Sequence, residues 1–434
     1  MIVARWQAPP LTPERKHNLL QEALAKAWRA PFFAGKLRAA GFRQGQVVPE
    51  SEWTQLPLTT KDELRQLSSV EFYRDVVIAP RSEMADYWRS GGVTGKPIFY
   101  PRTHQDLLVA IETFRRVLEM AGVRPGDLVA NSFPYGVHPL GRMMMLAIQA
   151  HGCAAISTGA GNNTQSEHQA ELIADLSVDV VLAMATYALH LAHVAQQSGI
   201  HLAVCPVRTV ISSADMITPA KRARLERLWG VEVFNTYGMS EVGMMSCECE
   251  RHDGMHVWAD LCHLEVLDGE TWEPVAPGEV GVLVVTPLYT NNATPFIRWV
   301  SGDLVSLSLS KHCGCRSPYR HLPMLRMAGR TTGFFKIRGV NINHSELQDF
   351  LLLMPEIKDY LVIADRRDEK ESLIIEVEVG PDVAPEAITE GLCAEIARRF
   401  EISAEIQVVP QGTIVCKLEK NVKQERFIEI GGRS

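Results

Sequence analysis

No stretch of the 434-residue sequence is apolar over the length a membrane-spanning helix requires, and no apolar signal core follows Met1-Ile2-Val3-Ala4-Arg5-Trp6. Both lacks argue against a membrane partner and lead to the expectation of a soluble, cytoplasmic protein. An excess of positive charge is missing too: the formal net charge is -7 and the pI about 6.1. With no global basic field a nucleic-acid duplex is not an expected partner, although a local basic pocket for phosphates stays open. Internal repeats and low-complexity tracts are absent. An even disulfide framework is absent as well. There are nine cysteines, and four of them form two close pairs, Cys247/Cys249 and Cys313/Cys315. That arrangement suits a reducing compartment, and a metal, better than disulfides.

The residues that are present, 46% of them hydrophobic, suffice for a large core and for two or more domains. Thr12-Pro13 is a helix start, with a side-chain cap followed by proline at the first helical position. Leu19, Leu20, Leu24, Ala27 and Trp28 follow at helical spacing, which predicts a docking helix. From about residue 105 strand-like apolar runs (Leu128 to Ala130, Val178 to Met184, Val207 to Ser212) alternate with helical segments such as Thr164 to Leu176. This predicts a parallel α/β sheet. Between Val231 and Thr290 short strands (His256 to Trp258, His263 to Leu267, Gly281 to Thr286) are joined by turns such as Pro277-Gly278, so an antiparallel layer or a small barrel is expected. Beyond Gly329-Arg330 strands at Tyr360 to Ala364, Leu373 to Val379 and Glu405 to Val409, with a helix from Pro385 to Phe400, read as a small α+β domain. The expected division is 1–329 and 330–434.

Three segments carry chemistry. Ser90-Gly91-Gly92-Val93-Thr94-Gly95-Lys96-Pro97 has glycines that admit close backbone approach, a hydroxyl on Thr94 and a charge on Lys96, the parts a polyphosphate needs. It is not a Walker loop, and read alone a surface turn competes with it. In Asn235-Thr236-Tyr237-Gly238-Met239-Ser240-Glu241-Val242-Gly243 a tyrosine can stack on a purine and a glutamate can hold magnesium, with a capped strand end as the bland alternative. In Trp299-Val300-Ser301-Gly302-Asp303 an aspartate leaves a turn with two acceptor oxygens, enough for both hydroxyls of a ribose.

In this order, and followed by Gly329-Arg330-Thr331-Thr332-Gly333 and Lys336-Ile337-Arg338-Gly339-Val340-Asn341, the segments resemble the adenylate-forming superfamily of acyl-CoA synthetases, adenylation domains and luciferases. Asp253 to Asp260 and the compact length are most similar to the phenylacetate-CoA ligase family. The resemblance implies a large N-terminal domain of α/β sheets plus a barrel-like β layer, holding the ATP and acid sites, and a smaller mobile α+β lid. It implies ATP, Mg2+ and coenzyme A as cofactors and a small carboxylic acid as substrate. Ser90, Gly92, Thr94, Gly95 and Lys96 fall in its phosphate loop. Tyr237 and Gly238 lie against adenine, Ser240 and Glu241 address phosphates and magnesium, Asp303 binds ribose, and Arg330 lies at the hinge. Its catalytic lysine matches Lys420, with Lys417 and Lys423 as competitors. Gly91 and Val93 stand where the family has hydroxyls, Thr331-Thr332-Gly333 where it has acidic hinge residues, and Glu419 where it has glycine.

Cys313-Gly314-Cys315 resembles a metal-binding element of some of these ligases, and with Cys249 and His256 it would form a structural Cys3His zinc site. By position Phe133, Tyr135, Gly136, His138, Ser212, Ser213, Ala214 and Asp215 are candidates for the acid pocket, where core packing is the competing role. The leading function is an AMP-forming ligase joining an aryl-acetic, aryl or short hydroxylated acid to coenzyme A. An adenylyltransferase or carrier-protein loader, and a non-catalytic nucleotide-binding regulator, are the alternatives. The family alone suggests a homodimer.

Overall fold

The computed structural model describes residues 6–89, 97–161, 163–308, 313–331, 334–337, 340–367, 371–381, 383–418 and 426–431. Its first helix, Pro13–Arg29, begins where the side chain of Thr12 accepts from the Arg15 amide at 3.2 Å. One face buries Leu19, Leu20, Ala23, Leu24, Ala27 and Trp28. These side chains share a core with Phe33, Trp53, Tyr100, Phe296 and Trp299, which docks the N-terminal segment against the body of the protein.

That body is one eleven-stranded sheet. From one edge its parallel half runs Ala154–Ile156, Leu128–Asn131, Val180–Leu182, Thr209–Ser212 and Glu232–Met239. Val180, Val181 and Leu182 are wholly buried, as expected of a short strand covered by helices on both faces. The antiparallel half continues through Gly243–Glu248, Met255–Val257, Met324–Arg330, Trp299–Ser308, Val280–Pro287 and Cys262–Leu267. Of the layer and barrel expected over this region, the structure has the layer, extending the parallel strands edge to edge. The Pro277-Gly278 turn is present: the Glu279 amide donates to the Ala276 carbonyl at 3.0 Å, and Gly278 takes the φ of +92° that a side chain would oppose.

A separate four-stranded sheet, in the order Glu405–Val408, Ser372–Val379, Ile357–Asp365, Phe427–Ile430, forms the C-terminal part with the helices His344–Leu353 and Pro385–Phe400. The second helix has the bounds read from the sequence, with proline at its first position. Among the described residues no helix is long and apolar enough to cross a membrane.

Candidate active site and metal centre

Segments singled out in the sequence leave the carboxyl ends of three parallel strands: Ser132 to His138 after Leu128–Asn131, Ser213 to Asp215 after Thr209–Ser212, and Ser240 to Val242 after Glu232–Met239. In open α/β sheets this is the rim where ligands bind.

Strand pairing places Asp303 opposite Arg330, and the Arg330 guanidinium lies 2.9 Å from the Asp303 carboxylate. The other carboxylate oxygen accepts from the Tyr237 hydroxyl at 2.7 Å. Burial raises the Asp303 carboxyl against the pull of Arg330. Burial and then the Asp303 charge push the Tyr237 phenol well above its ordinary value, so Tyr237 stays a donor. The Arg330 side chain is 59% exposed. A ribose hydroxyl can therefore take its place on Asp303 at little desolvation cost.

Glu241 sits at the tip of a tight hairpin, where the Val242 amide donates to the Met239 carbonyl at 3.2 Å. A Cβ on Gly238 would lie 2.5 Å from the Gly243 carbonyl oxygen, so only glycine allows this turn to close. The buried Glu241 carboxylate accepts from the Tyr100 hydroxyl at 3.0 Å and faces the Lys61 ammonium at 3.3 Å. Arg102, 1% exposed and stacked 4.5 Å from the Trp88 ring centre, donates to the carbonyls of Ser240 (2.5 Å), Glu241 (2.7 Å) and Thr290 (3.0 Å). The Ser240 hydroxyl donates to the Arg89 carbonyl at 3.2 Å.

Lys61, Tyr100 and Arg102 were not read from the sequence as site residues. Tyr100 and Arg102 carried a signal, since they alternate with Pro101 on the strand that leaves the glycine-rich loop and so share one face. Lys61 carried none beyond its helix start. Ser90, Gly92, Thr94, Gly95 and Lys96 lie outside the described residues, as do Lys420 and its competitor Lys423. The strands on either side of the loop pair Arg89 with Phe99, and the Arg89 carbonyl touches Ser240. The other competitor, Lys417, is tied to Glu376 at 2.5 Å.

Among the acid-pocket candidates, Phe133 is wholly buried in the main core. The Tyr135 hydroxyl accepts from the Asn131 amide at 2.8 Å, and Gly136 and His138 lead into the helix Pro139–His151. Ser212 is a buried strand end whose carbonyl accepts from Thr236 at 3.0 Å, Ser213 is buried beside it, and Ala214 holds a left-handed φ of +63°. Asp215 already has protein partners: it accepts from the Thr186 amide at 2.9 Å and pairs with buried Lys221 at 3.1 Å. Its carboxylate anchors two helices.

The second cluster joins Cys249, His256, Cys313 and Cys315, whose ligand atoms all lie within 4.8 Å of one another. Cys249 and Cys313 sulfurs are 3.5 Å apart, as are the Cys315 sulfur and His256 Nε2. A disulfide needs about 2.05 Å. A tetrahedral zinc with bonds of about 2.3 Å to sulfur and about 2.0 Å to nitrogen sets edges of roughly 3.5 to 3.8 Å, and the donor set fits it. His256 Nδ1 lies 3.3 Å from the Leu322 carbonyl, which turns Nε2 into the cluster. Burial pushes the Cys249 and Cys315 thiols up, while the backbone amides of Arg251 and Ser317, each two residues further on, favour the thiolates. Cys247 and His252 stand apart, one in the core and the other between Glu248 and Glu232.

Residues 32–287 match the AMP-binding enzyme family and residues 339–429 the AMP-binding enzyme C-terminal domain. The phenylacetate-coenzyme A ligase of Thermus thermophilus is 30% identical over 92% of this chain and 94% of its own. A 2-hydroxyisobutyryl-CoA ligase solved in the postadenylation state aligns with 99% of this chain and 96% of its own at a TM-score of 0.84 and 23% identity. The same ligase in the thioesterification state aligns with 98% and 91% at a TM-score of 0.69 and 24% identity. With the first family match spanning more than half its length, the chain belongs to the AMP-binding enzymes and is an adenylate-forming, phenylacetate-CoA ligase-like member of them.

Proposed function

We infer that the chain is an AMP-forming carboxylate-CoA ligase for an aryl-acetic or hydroxylated acid, working through an acyl-adenylate. The observation that carries the reading is the joined pair of Tyr237–Asp303–Arg330 and Tyr100–Glu241–Lys61 at the carboxyl-end rim of the sheet. In the first half-reaction an acid oxygen attacks the α-phosphorus of ATP and pyrophosphate leaves. In the second a CoA thiolate attacks the acyl carbon and AMP leaves.

Asp303 holds the ribose and Tyr237 lies against the base. Glu241 would hold magnesium, which when bound neutralises phosphate charge. Ser240, with Thr94 and Lys96 of the loop, faces the phosphates. Lys420 bridges the acid and the α-phosphate by its point charge. Tyr135, Gly136, His138, Ser213 and Ala214 border the acid. The higher TM-score against the postadenylation structure supports reading the present domain arrangement as the one that makes the adenylate. Zinc on Cys249, His256, Cys313 and Cys315 would act as a structural clamp, because four protein ligands leave no open position. Nine cysteines, none of them in a disulfide, support a reducing, cytoplasmic setting.

The test is pyrophosphate release across phenylacetate, benzoate, salicylate and 2-hydroxyisobutyrate, with and without CoA. Acid-dependent release that CoA converts to thioester is expected. No release with any acid sinks the enzyme reading, and release that never yields thioester replaces the ligase with an adenylyltransferase.

A further inference from the structure

The seam between the two parts of the chain holds a group that the chemistry above does not use. The helices Ala185–Gln197 and Pro219–Trp229 form one wall, and the helix His344–Leu353 with the start of strand Ile357–Asp365 forms the other. Arg224, on the helix Pro219–Trp229, is 6% exposed. Its guanidinium donates to the Ile357 carbonyl at 2.8 Å and to the neighbouring Lys358 carbonyl.

Successive carbonyls of a regular strand point to opposite sides. Here the pairing with Ser372–Val379 shifts register between Ile357 and Asp359, and this irregularity lets both carbonyls meet one donor. The nearby carboxylate, Asp359, is occupied within its own domain by Arg426 in two bonds of 3.0 Å, both groups buried. Among the described residues, the hydrogen bonds of the buried Arg224 guanidinium therefore all go to the backbone of the other domain. A contact of this kind reads the position of the strand rather than the identity of its side chains. It is also reversible, since water can replace carbonyl acceptors when the wall withdraws.

We propose that Arg224 is a positioning residue that latches the C-terminal domain in the orientation that makes the adenylate, and that its two carbonyl bonds are released before thioester formation. This rests on the two-step ligase reading above. The test uses the full chain with Arg224→Ala and Arg224→Lys. Acid-dependent pyrophosphate release is measured separately from thioester formation out of CoA and the matching synthetic acyl-adenylate. Amide hydrogen exchange is followed without ligands over 185–194 and 355–362.

For Arg224→Ala, adenylation is expected to fall about tenfold or more while thioester formation stays within roughly twofold, because only one domain orientation loses support. Exchange should quicken in both spans, with Arg224→Lys in between. Equal losses in both half-reactions overturn the latch, as does unchanged adenylation. Should Arg224→Ala fail to fold, Arg224→Lys and Arg224→Gln carry the same split. If the wild type adenylates no acid, the ligase reading fails and exchange alone decides the latch: unchanged exchange in both spans overturns it.

Discussion

The proposed nucleotide corner lies where the parallel half of the sheet meets the antiparallel half, the cysteine corner lies on the antiparallel half, and the two satisfy their charges in opposite ways. Around the proposed nucleotide site both carboxylates already have protein partners: Glu241 has Tyr100 and Lys61, and Asp303 has Tyr237 and Arg330. That corner is satisfied by protein groups alone, and on the proposed reading a nucleotide would exchange them. At Cys249, His256, Cys313 and Cys315 the donor atoms face one another, three sulfurs and an imidazole nitrogen within 4.8 Å. With its thiols ionised, such a set would be completed by a cation. One corner is preorganised by the fold, and the other is expected to help organise it.

The sharpest way to break this contrast is to remove the cation. Cys315→Ser, or prolonged chelation of the wild type, should release about one zinc per chain. It should also lower the melting temperature by on the order of 10 °C, because metal binding energy is folding energy for the segment it clamps. Metal analysis and calorimetry check this. A wild type that purifies metal-free with an unchanged melting temperature would place both corners in the self-sufficient class.

Sequence reading reached the two corners unequally, for a physical reason. Residue type marked the thiols and imidazoles as candidates, the resemblance of Cys313-Gly314-Cys315 to a metal-binding element narrowed them to four, and the structure brings those four together. The helix Pro385–Phe400 and the strands near Leu128, Val180 and Thr209 were legible from periodicity. Tyr237 and Asp303, distant in sequence, were connected by motif order alone. Arg102 carried only the alternation of its strand and Arg224 no signal, because their partners are backbone carbonyls, which every residue carries and only tertiary structure brings close. The single sheet was also hidden: Met255–Val257 pairs with Met324–Arg330 across a long sequence gap that no local pattern spans.

A second test sharpens the claim of self-sufficiency. Arg102→Met strips three carbonyls of Ser240, Glu241 and Thr290 of their shared donor while keeping much of the side chain's bulk. Unmade bonds to a buried charged group cost about 2 to 4 kcal/mol in total, read by denaturant unfolding. Adenylation should fall with it, since the Ser240-Glu241 turn loses its support. Stability lost with pyrophosphate release intact would separate Arg102 from the site.

The smallest expected effect concerns His193 on the helix Ala185–Gln197, which lies at the seam between the domains and follows neither pattern. Burial lowers its pKa to about 4, with Asp359 opposing and Arg224, Arg426 and Lys358 reinforcing the shift. The folded value lies below the unfolded one of about 6.5, so between the two the unfolded chain binds more protons. The contribution of His193 is therefore complete above about pH 6.5 and is lost as pH falls toward 4. Going from pH 7 to 5 should remove at most about 2 kcal/mol through this residue. His190 and His263, lowered to about 3 and about 4 mainly by burial, add slopes of the same sign, so the informative quantity is a difference between proteins. His193→Gln should flatten the pH dependence of unfolding relative to wild type, and hydrogen exchange over 355–362 should become less sensitive to acid. Identical slopes in the two proteins would mean that His193 is not held neutral at the seam, and that the Arg224 contacts withstand acid without it.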